Sequence, residues 1–134
     1  MGIVVDMKQL TLKVLEGHYT IHRFSPQSGI PVEVLDSSLL SITKTEDELS
    51  IVCDASIAVS SDTQECDWSC LKVLGTLDFA LTGILATLSS ALAEAAISIF
   101  AISTYETDYI LIKTEKLELA VSTLDEKGYD VLLF

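Results

Sequence analysis

Residues Ile97–Ile112 read ISIFAISTYETDYILI. Both ends are apolar and rich in β-branched side chains, while the middle, Tyr105–Thr107, is polar. Two such runs parted by a short polar insert read as an antiparallel strand pair, here Ile97–Thr104 and Asp108–Lys113. Upstream, Trp68–Leu74 has the same apolar strand character, and Gly75–Ala80 reads as a loop with Asp78 placed to cap a helix. Leu81, Ile84, Leu85, Leu88, Leu92 and Ala95 then recur at spacings of three and four, which puts them on one helical face. Downstream, Thr114 stands where it would cap a second helix with Leu117, Ala120, Val121 and Leu124 on its apolar face. Lys127-Gly128 ends that helix as a basic last turn with a glycine stop. Asp130–Phe134 is the final strand. The order is βαββαβ, so the fold class is α+β, ferredoxin-like.

The N-terminal half is less regular. Leu10–Leu15 and Tyr19–Phe24 read as strands meeting at Glu16-Gly17-His18. Ser25–Gly29 is turn-rich, and Ile30–Leu35 reads as one short helix. Leu39–Thr43 and Leu49–Asp54 form a hairpin around Lys44–Glu48. Ser38–Val52 aligns without a gap to Ser98–Ile112, with Ser38, Ile42 and Glu46 identical to Ser98, Ile102 and Glu106. The spacing reads as an internal repeat of one hairpin.

Composition narrows the function. A chain of 134 residues, 49% of them hydrophobic, has enough apolar material for one compact domain or two small lobes sharing a core. Its net charge of −12 opposes phosphate, so neither nucleic acid nor an anionic membrane is an expected partner. MGIVVDMKQL lacks the charged and long apolar regions of a signal peptide, and Asp6 stands where a myristoylation motif needs Ser or Thr. Phe79–Ile102 is nearly long enough to cross a bilayer, but it contains Glu94 and Ser89-Ser90 and its pattern breaks near Ala96. A helix followed by a strand explains it better. Cys53, Cys66 and Cys70 are odd in number and read as reduced thiols in a cytoplasm. Cys66 and Cys70 have no neighbouring histidine, and His18 and His22 alternate along a strand, so no metal site is expected. GxSxG, P-loop, GxGxxG and HExxH patterns are absent. The chain is expected to be no enzyme, with no catalytic residues and no cofactor.

The chemistry that remains is binding. A free amino acid presents a carboxylate and an ammonium. A helix N-terminus holds a carboxylate on its backbone N–H groups, and Leu81-Thr82-Gly83-Ile84 lies at such an end. Gly83 either lets a ligand approach closely or lets a helix pack closely. Asp108 is an acceptor for an ammonium, or a turn aspartate bonded to nearby backbone. Ser103, Thr104 and Tyr105 add hydroxyls, and Tyr105 either covers a ligand's stem or is an edge-strand aromatic.

The hairpin, with Ser-Thr-Tyr-x-x-Asp over Ser103–Asp108, resembles the second half of an ACT domain, a small ferredoxin-like module that binds amino acids. This version of the turn is similar to that of the tandem-ACT family that includes the eukaryotic cytosolic arginine sensors. The resemblance covers Ser69–Lys113 well and the first lobe loosely. It implies a truncated ACT-like lobe over 1–62 and a complete ACT domain over 63–134. It also implies ligand contacts from Gly83 and Ile84, from Ser98 and Ile99, and from Thr104, Tyr105 and Asp108. The sensors carry acidic residues just before the glycine, whereas this chain has Ala80, Leu81 and Thr82. A cation buried there would lack a counter-charge, so the implied ligand has a neutral or apolar side chain. In the sensors the amino acid lies between two ACT lobes; a homodimer of this chain would recreate that interface with two symmetric sites. The resemblance thus implies a small-molecule-binding regulator that acts on a separate protein target. A ligand-independent protein-interaction module on the same scaffold is the alternative, and an enzyme using His22 or a cysteine is a third class.

Overall fold

The computed structural model describes residues 10–74 and 83–134. In chain order the elements are β1 (Thr11–Val14), β2 (Tyr19–Phe24), β3 (Ser41–Lys44), β4 (Leu49–Asp54), β5 (Thr63–Leu74), α1 (Ile84–Glu94), β6 (Ile99–Ser103), β7 (Asp108–Lys113), α2 (Leu117–Glu126) and β8 (Asp130–Leu132). Short 3-10 turns lie at Val32–Asp36 and Thr114–Lys116. The expected loop at Gly75–Ala80, the cap at Asp78 and the helical Leu81 fall outside the described residues.

The chain divides into two compact units: Gly17–Trp68, and the residues up to Glu16 together with Ser69–Phe134. The larger unit holds the βαββαβ run, β5-α1-β6-β7-α2-β8, and its sheet has the order β6-β7-β5-β1-β8. The first and last strands of the run are thus separated by β1. That strand is antiparallel to β5 (Thr11↔Leu74, Val14↔Leu71) and parallel to β8 (Thr11↔Asp130, Lys13↔Leu132).

This corrects the expectation that β1 and β2 meet each other. β1 pairs with Leu71–Leu74, whereas β2 pairs with β4 and with Thr63–Trp68. Thr11–Val14 therefore folds with the larger unit, although the sequence places it in the first lobe. Its burial alternates, with Leu12 and Val14 in the core and Lys13 exposed, and that pattern names a half-buried strand without naming its partner.

The helices lie on the face that carries Leu12, Val14, Leu71, Val73, Ile110 and Ile112. They cover it with Ile84, Leu88 and Leu92 of α1 and Ala120 and Leu124 of α2. Each fully buried leucine contributes roughly 1.5–3 kcal/mol. Both helices end in a left-handed residue. At α2 the Gly128 N–H donates to Asp125 O (3.0 Å) and the Tyr129 N–H to Leu124 O (3.0 Å), which is the expected glycine stop. At α1 the left-handed position is Ala96, with φ of 59°. The Ala96 N–H donates to Ala93 O (2.9 Å) and the Ile97 N–H to Leu92 O (3.0 Å). That stop breaks the long apolar segment into helix and strand. Among the described residues no helix is long and apolar enough to cross a membrane.

Thr114 does not cap α2. Its hydroxyl lies 2.9 Å from that of Ser69, and the helix follows Lys116 without a side-chain cap bond.

The smaller unit has the strand order β3-β4-β2-β5, around a core of Phe24, Val34, Leu49, Ile51 and Cys53. The expected helix at Ile30–Leu35 is a 3-10 turn after Pro31. Asp54 anchors the chain beyond it. Its carboxylate accepts the Ser38 N–H (2.8 Å) and the Ser38 hydroxyl (2.9 Å). The strand expected over Trp68–Leu74 starts earlier, at Thr63. It carries a left-handed Asp67 (φ 64°), and its register against β2 shifts between Tyr19 and Ile21.

Candidate functional site

All seven residues singled out in the sequence lie in the larger unit. Gly83 precedes α1 with φ of 85° and ψ of 1°. A Cβ built there meets nothing within 4 Å among the described residues. The left-handed backbone is by itself a reason for glycine at this position. Its carbonyl accepts both the N–H and the hydroxyl of Thr87, each at 2.8 Å. Among the described residues the start of α1 has no side-chain cap bond and no acidic residue in its first turn. Leading N–H groups and the positive end of a helix dipole suit an anion. Ile84 is buried in the core and fixes the helix start on the sheet.

The β6–β7 hairpin supplies three more. Ser103 pairs with Asp108 across the strands. Asp108 alternates in phase with Ile110 and Ile112, so it stands on the face that carries α1. The turn between them is closed by threonine. The Thr104 N–H and hydroxyl both donate to Thr107 O at 2.9 Å, and the Thr107 N–H returns to the Thr104 hydroxyl at 3.3 Å. The hydrogen of the Thr104 hydroxyl is therefore committed to the turn, and only acceptor capacity is left for a ligand. Tyr105, at the tip, is 81% exposed.

Thr107, which sequence reading passed over, is a positioning residue. It is buried, and its hydroxyl donates to Val73 O at 2.6 Å, pinning the turn to the end of β5. The signal was present as a threonine at each end of the turn, Thr104 and Thr107.

Ser98 and Ile99 lie elsewhere. Ile97 bonds to Leu92 at the end of α1, and Ile99 pairs with Ile112 at the far end of β7 from Asp108. The Ser69–Thr114 contact marks that same end of the sheet, and the Thr107–Val73 bond marks the opposite one. Gly83, Ile84, Thr104, Tyr105 and Asp108 thus share one end of the unit, while Ser98 and Ile99 share the other. The eleven residues of α1 between them span about 16 Å.

Among the described residues no group of three His, Cys, Asp or Glu is placed to hold a metal ion. Cys53, Cys66 and Cys70 are free thiols, and burial pushes the Cys70 thiol up to about 12, which makes it inert. His22 is buried, and its Nδ1 lies 2.9 Å from the Ser61 hydroxyl. That hydroxyl donates to Thr63 O, so the imidazole is the donor in this pair.

Residues 63–126 match the family model of the ACT domain. Residues 17–62 match a second model, described as an N-terminal domain. A structural-genomics protein of Agobacterium tumefaciens superposes with a TM-score of 0.86 at 36% identity, over 93% of each chain. The chain carries an ACT domain and belongs to the family of this Agobacterium protein. The ACT domain's fold is shared more distantly. A Vibrio cholerae protein of unknown function, described as a possible transport protein, has a TM-score of 0.71 at 21% identity, over 91% of this chain and 92% of that one. The ligand-free regulatory subunit of aspartate kinase from Thermus thermophilus has a TM-score of 0.59 at 13% identity, over 86% and 95%. No match is found among curated proteins.

Proposed function

We propose that this ACT-domain protein is a non-catalytic, cytoplasmic regulator whose ligand is a free amino acid bound between two copies of the chain. The separation of the seven candidate residues carries this reading. An amino acid bears its carboxylate and ammonium on one carbon, and it cannot touch both ends of α1. A second copy that brings its own Ser98 and Ile99 to Gly83 and Asp108 completes the site, and two-fold symmetry makes two of them. The carboxylate rests on the open start of α1, the ammonium on Asp108, and Tyr105 covers the side chain. That side chain is neutral or apolar, because Ala80, Leu81 and Thr82 bring no carboxylate to the position where the resembling arginine sensors have acids. The signal passes to a separate protein target.

The exposed Tyr105 favours a second reading, in which the hairpin tip contacts a protein without any ligand. A thermal-shift panel of the common amino acids separates the two. A ligand at about a hundred times its Kd stabilises by roughly 2.7 kcal/mol, and the shift is lost in Asp108→Ala. A flat panel overturns the amino-acid reading and leaves the interaction module.

A further inference from the structure

Leu12, Val14, Leu71, Val73, Ile110 and Ile112 turn one face of the larger sheet toward the helices. Lys13, Lys72 and Tyr109 alternate with them and stand on the opposite face. Lys13 of β1 is directly across from Lys72 of β5. On one side Lys13 pairs with Leu132 of β8. On the other side Lys72 Nζ lies 5.8 Å from the centre of the Tyr109 ring, and Tyr109 pairs with Ile102 of β6. Ile102, Tyr109, Lys72, Lys13 and Leu132 thus form a row across the unit, in the strand order β6-β7-β5-β1-β8. Lys13 is exposed, Leu132 is 43% exposed, and the other three are half-buried.

Like charges directly opposite across two strands are destabilising. Among the described residues neither Lys13 nor Lys72 has an ion-pair partner. The Tyr109 ring offsets part of that cost for Lys72 and none of it for Lys13. Lys113 follows Tyr109 in phase on the same face, and Asp130 stands there across from Thr11. The strand positions of this face therefore carry an excess of positive charge, in a chain whose net charge is −12.

We propose that this face docks an acidic segment of a partner protein. The segment's carboxylates meet Lys13 and Lys72, and its apolar side chains cover Leu132, Tyr109 and Ile102. Charge complementarity selects this occupant. A second copy presents the same basic face, so like charges would meet. Nucleic acid suits the lysines but is repelled by the remainder of an acidic chain. A small anion on an open sheet face gains only water-exposed ion pairs, which are weak. A segment that gathers several such contacts and also buries apolar surface escapes that limit. Strands about 4.8 Å apart make the row roughly 19 Å long, the reach of about six extended residues. The face lies on the opposite side of the sheet from Asp108, so docking does not depend on an amino acid being bound.

The test is fluorescence anisotropy of the full chain with a labelled hexapeptide, two central glutamates flanked by leucines. The expected result is saturable binding that weakens as NaCl rises from about 0.05 M to about 0.5 M. Lys13→Glu and Lys72→Glu should each weaken it on the order of tenfold. Lys127→Glu changes the net charge equally at a distant exposed site and should leave affinity unchanged, as should Asp108→Ala. No binding overturns the proposal, as does equal loss in Lys127→Glu or none in Lys13→Glu and Lys72→Glu. Sedimentation of the same variants adds one more outcome: a dimer that dissociates in Lys13→Glu would make a second copy the occupant and overturn the acidic partner.

Discussion

Thr45 and Thr104 close two different hairpins with the same bonds. The Thr45 N–H donates to Glu48 O and the Thr104 N–H to Thr107 O, both at 2.9 Å. In each turn the threonine hydroxyl also accepts the N–H three residues on, from Glu48 at 3.2 Å and from Thr107 at 3.3 Å. The two turns differ at their last residue. Thr107 has a hydroxyl that reaches the β5 backbone, and Glu48 does not. Thr107→Val keeps the shape of the side chain and removes its bond to Val73 O. It should destabilise the chain by about 1–3 kcal/mol, the range for a buried carbonyl left without its donor. Thr45→Ala, at an exposed turn, should cost less. Urea unfolding of both variants checks the order.

Ala96 holds a left-handed backbone that costs a residue with a Cβ roughly 1–2 kcal/mol. Ala96→Gly removes that strain and leaves the two bonds that stop α1 intact. Part of the gain returns to the more flexible unfolded chain, so the expected stabilisation is on the order of 1 kcal/mol or less. A rise in Tm is the readout. Gly83→Ala, at φ of 85°, should move Tm the other way by a similar amount.

The smaller unit should be acid-sensitive. Burial lowers the His22 pKa, so the unfolded chain takes up that proton first as the pH falls. The contribution of neutral His22 is present above about pH 6.5 and is lost below it. Asp54 acts at lower pH. Burial raises its pKa, but the Ser38 N–H and hydroxyl, with help from Ser37 and Leu39, outweigh that and bring it below the ordinary value. Its contribution is therefore present above the unfolded carboxylate pKa and lost as the pH falls towards the folded one. Urea midpoints between pH 8 and pH 3 should fall in two stages, and His22→Phe should remove the first.

A site built from two copies predicts complementation. Asp108→Ala and Ser98→Ala should each weaken amino-acid binding. In a mixed dimer one site receives Asp108 from one copy and Ser98 from the other, both intact, and its twin receives neither. Unfolding and refolding an equimolar mixture should therefore restore roughly a quarter of the native sites. Calorimetric stoichiometry decides, and no recovery would place all contacts within one copy.

Much of this architecture was legible from side-chain periodicity. The spacing of Ile84, Leu88 and Leu92 marked α1, and Lys127-Gly128 marked the end of α2, because helix faces and left-handed stops are local properties. The internal repeat was legible only in part. Sequence identity aligns Ser38 with Ser98, which sets Thr45 against Tyr105. The turn bonds set Thr45 against Thr104, one residue away. A slip of one residue exchanges the two faces of a strand, so the hairpins match in backbone while their side chains serve different ends. Leu49 is buried in its core, whereas its counterpart Asp108 is half-exposed at the end of β7.

The sequence alone determined most of the elements and the ferredoxin-like order, since each depends on neighbours a few positions apart. Only the tertiary structure decided that β1 separates β5 from β8, that Ser98 and Asp108 lie at opposite ends of one unit, and that Tyr129 is buried. Strand pairing and burial are set by which distant surfaces meet, and a half-buried strand such as Thr11–Val14 carries the same alternation whichever neighbour it finds.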